Sequence, residues 1–125
     1  MNHEVNSLTG VIIGSAIEVH KILGPGLLES AYEECLCIEL ENKGLLYERQ
    51  KNLPIEYKGK ELDCEYRIDV MVENKVILEL KAVERIEGIH KAQLLTYMKL
   101  SGIKTGLLIN FNVSILKEGI IRMVL

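Results

Sequence analysis

The chain has 125 residues, 48% of them hydrophobic and 26% charged, with no repeat or low-complexity run. That balance describes one globular domain over residues 1–125 with a single core; it excludes extended disorder and leaves no room for a second domain. A net charge of −3 argues against loose nucleic-acid binding through lysine and arginine, unless a cation in an acidic cleft reverses the sign locally. Cys35, Cys37 and Cys64 follow no metal-ligand spacing and read as reduced core or surface thiols. The N-terminus lacks a signal-peptide pattern and no apolar run approaches about 18 residues, so a soluble, cytoplasmic protein is expected.

From Asn6 to Leu23, apolar residues including Leu8, Ile12, Ala16 and Val19 recur at helical spacing, with Asn6 or Ser7 available as a cap. His20, near the end, reads as a core or capping histidine rather than a metal ligand. Gly24-Pro25-Gly26 breaks the chain. A second helix is expected from Leu27 to Lys43, stopped by Gly44. Its expected buried face is Leu28, Ala31, Tyr32, Cys35 and Leu36, and Glu29 projects between Leu36 and Leu40, where packing would prefer an apolar group. The helix dipole also favours an acid in a first turn, and Glu39 projects within the same arc, so position alone does not single out Glu29.

Leu45 to Tyr57 and Lys60 to Tyr66 read as strands joined at Lys58-Gly59-Lys60, with Pro54 marking an edge position. The second is expected to run straight into a hairpin, Tyr66 to Val83, turning at Glu73-Asn74-Lys75 and completing an antiparallel meander. Alternation places Ile68, Val70, Val72, Val76, Leu78 and Leu80 on one apolar face, and Arg67, Asp69, Met71, Ile77, Glu79 and Lys81 on the other. A turn symmetric about Asn74 sets Asp69 opposite Glu79 and Arg67 opposite Lys81, with Cβ atoms roughly 5 Å apart. Like charges so placed need a compensating cation or a raised pKa. Two compensations are open. Arg67 and Lys81 neutralise the acids diagonally on a solvated face, or a divalent ion such as Mg²⁺ or Mn²⁺ binds the carboxylates, with Lys81 beside it to handle a water or a phosphate.

A third helix is expected from Ile89 to Ser101, closed by Gly102. His90, Gln93 and Tyr97 cluster within about 60° of its circumference, which reads either as a cleft wall or as a buried Tyr and Gln satisfying backbone groups. Thr105 to Phe111 has the apolar run of a buried strand, and Ile120 to Leu125 reads as a last one. Strand, long helix, strand is the crossover that gives parallel pairing, so the sheet should be mixed and covered by helices.

Taken together, these residues resemble the PD-(D/E)XK nuclease superfamily and, more narrowly, the GxxExxY proteins. The signature of that group is similar to Gly26-Leu27-Leu28-Glu29-Ser30-Ala31-Tyr32, preceded by a VHKxLGPG-like run from Val19 to Gly26. Asp69 followed by Glu79-Leu80-Lys81 resembles the superfamily's acid and acid-x-lysine, and Gln93 to Tyr97 resembles the QxxxY element of RecB-like nucleases. The superfamily's proline is replaced by Ile68. The likeness extends from Val19 to the C-terminus and implies an α/β, restriction-endonuclease-like fold: a PD-(D/E)XK core with a mixed β-sheet flanked by helices. It further implies that Asp69 and Glu79 hold Mg²⁺ or Mn²⁺ with the Leu80 carbonyl as another ligand, Glu29 joining directly or through water. Lys81 would orient or activate the attacking water and stabilise charge on the phosphate. Gln93 and Tyr97 would position the side chains of the site or the nucleic-acid backbone, with Arg67 and His90 as further phosphate contacts.

The leading functional expectation is therefore a metal-dependent nuclease hydrolysing phosphodiester bonds of nucleic acid, most simply DNA. The alternative is a non-catalytic nucleic-acid-binding or interaction module that keeps the scaffold, motivated by modest size and a pI near 5.7. Hydrolysis of a small phosphorylated compound is the weakest reading, because no phosphate-cradling glycine loop is present. Exposed strand edges leave room for a homodimer without requiring one.

Overall fold

The computed structural model describes residues 3–125. Helices α1 (His3–Leu23) and α2 (Glu29–Asn42) precede β1 (Tyr47–Leu53), β2 (Glu56–Tyr57), β3 (Lys60–Glu61), and the hairpin of β4 (Tyr66–Val72) and β5 (Val76–Lys81). Then follow α3 (Gly88–Ser101), β6 (Thr105–Asn110), a 3-10 turn (Leu116–Gly119) and β7 (Ile120–Val124). The main sheet has the order β1-β4-β5-β6-β7. Its neighbours are antiparallel except β5 and β6, which α3 connects as a parallel pair. A mixed sheet flanked by helices is thus the architecture, consistent with the restriction-endonuclease-like fold expected from the sequence. Among the described residues, no helix is long and apolar enough to cross a membrane.

Helices cover both faces of the sheet. Ile12, Ala16 and Val19 of α1 and Tyr32, Leu36 and Leu40 of α2 pack on Val70, Val72, Val76, Leu78, Leu107 and Ile109. On the other face, Leu94, Tyr97 and Met98 of α3 pack on Met71, Ile77 and Leu108. The helix sits close because Gly106 has no side chain: a Cβ there would meet Met98 Sδ at 2.8 Å and Leu94 Cδ1 at 2.9 Å. Each of these fully buried aliphatic side chains stabilises the fold by about 1.5–3 kcal/mol, which fixes the sheet that carries the polar residues described below.

Three local expectations are corrected. Pro54 ends β1 because it has no N–H to donate, so β2 and β3 form a separate two-stranded hairpin and β1 pairs directly with β4; the continuous meander does not form. Leu28, expected in the buried face of α2, is 77% exposed, because the helix begins only at Glu29 and buries Tyr32, Glu33, Leu36, Cys37 and Leu40 instead. Ile68, expected beside Val70, packs with Met71 and Ile77 under α3. The alternation of β4 therefore reverses between Ile68 and Val70, and Asp69 sits at the reversal.

Candidate active site at the open end of a hairpin

The β4–β5 hairpin turns through Glu73 and Asn74, both with φ near +50 (53° and 54°), and pairs Val72 with Val76, Met71 with Ile77 and Val70 with Leu78. That register is symmetric about Asn74, as expected, and makes Asp69 and Glu79 the next residues across from each other. The regular pairs stop before them. Asp69 Oδ2 instead accepts the Leu80 N–H at 2.8 Å. Glu79 is only 3% exposed, and its buried Oε1 has no hydrogen-bond partner. Burial first, and then the charge of Asp69, push the Glu79 carboxyl up to about 8, with Lys81 pulling the other way. Burial also raises Asp69, against the Leu80 N–H. An orphaned buried carboxylate oxygen beside a second acid is costly unless something positive meets it.

Lys81 ends β5 on the side of α3, and its Nζ donates to Gln93 Oε1 at 3.5 Å. Gln93 Nε2 in turn donates to Tyr97 Oη at 3.1 Å, one helical turn on. Tyr97 is buried and meets Tyr66 edge-on, with ring centroids 6.4 Å apart. The polar stripe of α3 is therefore a relay that orients the lysine. Behind it, buried Asn110 braces the strand ends: its side chain accepts the Val83 N–H at 3.1 Å and donates to the Val83 carbonyl at 2.9 Å.

Glu29 approaches from α2. The loop before it needs left-handed backbone at Gly24 (φ 68°) and Gly26 (φ 102°), conformations that cost glycine little. Tyr32 closes that loop, its Oη donating to the Gly24 carbonyl at 2.6 Å and accepting the Leu27 N–H at 3.1 Å. Its ring stacks on Phe111 at 4.4 Å. Tyr32 thus sets the start of α2 and with it the placement of Glu29. Glu29 lines a cleft of about 310 Å³ with Ser30, Glu33, Gln50, Asp69 and Leu80. Partial burial raises its carboxyl, and Lys81 opposes the rise. A larger hollow of about 510 Å³, lined by Lys75, Lys104 and Arg122 among others, lies at the turn end of the hairpin, so size does not locate this chemistry.

Of the residues expected from sequence, Asp69, Glu79, Leu80, Lys81, Gln93 and Tyr97 are gathered around the open end of the hairpin, with Glu29 at the cleft rim. Arg67 lies apart: it is exposed and pairs with Glu65 at 3.3 Å rather than bridging the acids. His90 caps α3 by accepting the Glu87 N–H at Nδ1, 2.9 Å away, and sits near enough to Glu29 to act on its carboxyl. His20 is buried, with Nε2 2.8 Å from the Val113 carbonyl, as a core histidine should be. Sequence reasoning missed Glu33, Arg49 and Gln50. Glu33 is buried and bonded to Arg49 Nε at 3.1 Å and Gln50 Nε2 at 2.7 Å. The one available signal was its spacing, four residues after Glu29 and hence on the same helix face.

The donors fit a hard divalent cation: two adjacent carboxylates, one with an unpartnered buried oxygen. Among the described residues, no three His, Cys, Asp or Glu side chains form a metal cluster. Mg²⁺ sites commonly use one or two carboxylates and fill the remaining positions with water. A family model for the PD-(D/E)XK nuclease superfamily matches residues 6–123. The chain belongs to that superfamily, which implies a nuclease-type activity, contact with nucleic acid and, as is general there, use of a divalent metal. No curated protein and no solved structure matches it.

Proposed function

We propose that the chain, as one nuclease-like domain of the GxxExxY kind, is a Mg²⁺- or Mn²⁺-dependent nuclease that hydrolyses phosphodiester bonds, most simply of DNA. The observation that carries the reading is the Asp69–Glu79 pair beside Lys81, Asp69 half-buried and Glu79 buried with an unpartnered oxygen. Asp69, Glu79 and the Leu80 carbonyl would hold the metal, with Glu29 at the cleft rim joining directly or through water. When bound there, a divalent ion supplies Lewis-acid polarisation of the phosphate and makes water a stronger acid. Lys81 places its ammonium against the attacked phosphate and orients the water. Gln93 keeps Lys81 from folding away, and Tyr97 anchors Gln93. The free thiols Cys35, Cys37 and Cys64 suit a reducing cytoplasm.

The test is incubation of the purified protein with single- and double-stranded DNA and Mg²⁺ or Mn²⁺, beside Asp69→Ala and Lys81→Ala. Metal-dependent cleavage should appear and fall by about a hundredfold or more in each variant. No cleavage, or cleavage indifferent to both substitutions, rejects the enzyme and leaves the non-catalytic module.

A further inference from the structure

Gln50 sits in β1 with φ +50°, a left-handed conformation that a non-glycine residue adopts only at a cost of about 1–3 kcal/mol. The β1–β4 ladder pairs Arg49 with Val70 and Lys51 with Ile68 and skips the position between, where Gln50 faces Asp69. In a regular strand, consecutive side chains point to opposite faces. Here Arg49 and Gln50 both reach the same carboxylate, Glu33 of α2, at 3.1 Å and 2.7 Å. The strained residue therefore turns its carboxamide off the ladder and toward the helix. Gln50, Glu33 and Asp69 line the same cleft, and Gln50 is near enough to Asp69 to favour its charged form. An amide nitrogen carries two hydrogens: one serves Glu33, and the other is left to face Asp69 across the cleft.

We infer that Gln50 is a positioning residue that ties Asp69 to the buried Glu33 of α2 and so fixes the carboxylate that holds the metal. The inference rests on the metal-dependent reading above and adds residues to it that none of the signature motifs contains. Glu33, clamped by Arg49 and buried on the helix, is the fixed end of the link. Asp69 is the end that the link steadies: it stands where β4 reverses its alternation, and its Oδ2 accepts the Leu80 N–H where the regular pairs of the hairpin have stopped. Partners that orient metal ligands typically change metal affinity 10–100-fold when removed.

Gln50→Gly separates positioning from folding, because glycine accepts the left-handed backbone without strain and removes only the link. Mn²⁺ titration by calorimetry and thermal melting with chelator are run on the wild type, Gln50→Gly and Glu79→Ala. The expected result is saturable binding by the wild type, lost in Glu79→Ala and about 10–100-fold weaker in Gln50→Gly, with the melting temperature of Gln50→Gly unchanged or raised. Equal affinity in the wild type and Gln50→Gly overturns this inference alone. Weaker binding that comes with a lower melting temperature assigns Gln50 a structural role and also overturns it. A wild type that binds no Mn²⁺ overturns the metal-dependent reading and this inference with it.

Discussion

The two ends of the β4–β5 hairpin obey opposite rules. At the turn end, Val70, Val72, Val76 and Leu78 pair regularly and are fully buried with apolar partners on both sides. At the open end, about two residues further along the same strands, the pairing stops, the alternation of β4 reverses, and Glu79 is buried with an oxygen unpartnered beside the half-buried Asp69. Local propensity, pattern and packing agree at the first end and disagree at the second, which is the expected signature of a functional site held by a stable scaffold. One end supplies stability, and the other draws on it.

The largest effect that would break this contrast lies at the turn end. Leu78→Ala removes a fully buried side chain and should cost about 2–5 kcal/mol of unfolding free energy, read as a lower midpoint in urea. A loss well under 1 kcal/mol, on the same scale, would show that the turn end is not the anchor. A smaller effect of opposite sign is expected at the open end. Because the fold raises Glu79 from 4.5 to about 8, the metal-free fold prefers its protonated form. This contribution is fully present below the unfolded value and is lost as pH rises through that window. Asp69, also raised, acts in the same direction. Glu79→Gln, neutral at every pH, should therefore match the wild type at the acid end and melt some degrees higher above pH 8. Melting curves in chelator check this, and parallel pH profiles for the two proteins would show that Glu79 pays no burial cost.

Much of this contrast is legible in the chain itself. The apolar alternation around Glu73-Asn74-Lys75 specifies the register, because a one-residue slip would turn Val70 and Leu78 out of the core. That register carries Asp69 to Glu79, and the four-residue spacing of Gln93 and Tyr97 places both on one side of α3. What the pattern hides is every departure from periodicity. Nothing about Gln50 as a residue type announces a left-handed backbone, so its link to Glu33 and Asp69 is invisible until the strands are seen. Strict alternation, which has no term for a reversal, puts Ile68 on the wrong face for the same reason. The same symmetric register sets Arg67 diagonally beside the acids, but beyond the last regular pair its side chain turns to Glu65 in solvent.

The most direct test of the central claim is a crystal structure grown with Mn²⁺, with the metal located by its anomalous scattering. The ion should lie between the Asp69 and Glu79 carboxylates, in contact with the Glu79 oxygen that has no protein partner and with the Leu80 carbonyl. Density for Mn²⁺ only elsewhere on the molecule, or none at saturating concentration, would contradict it.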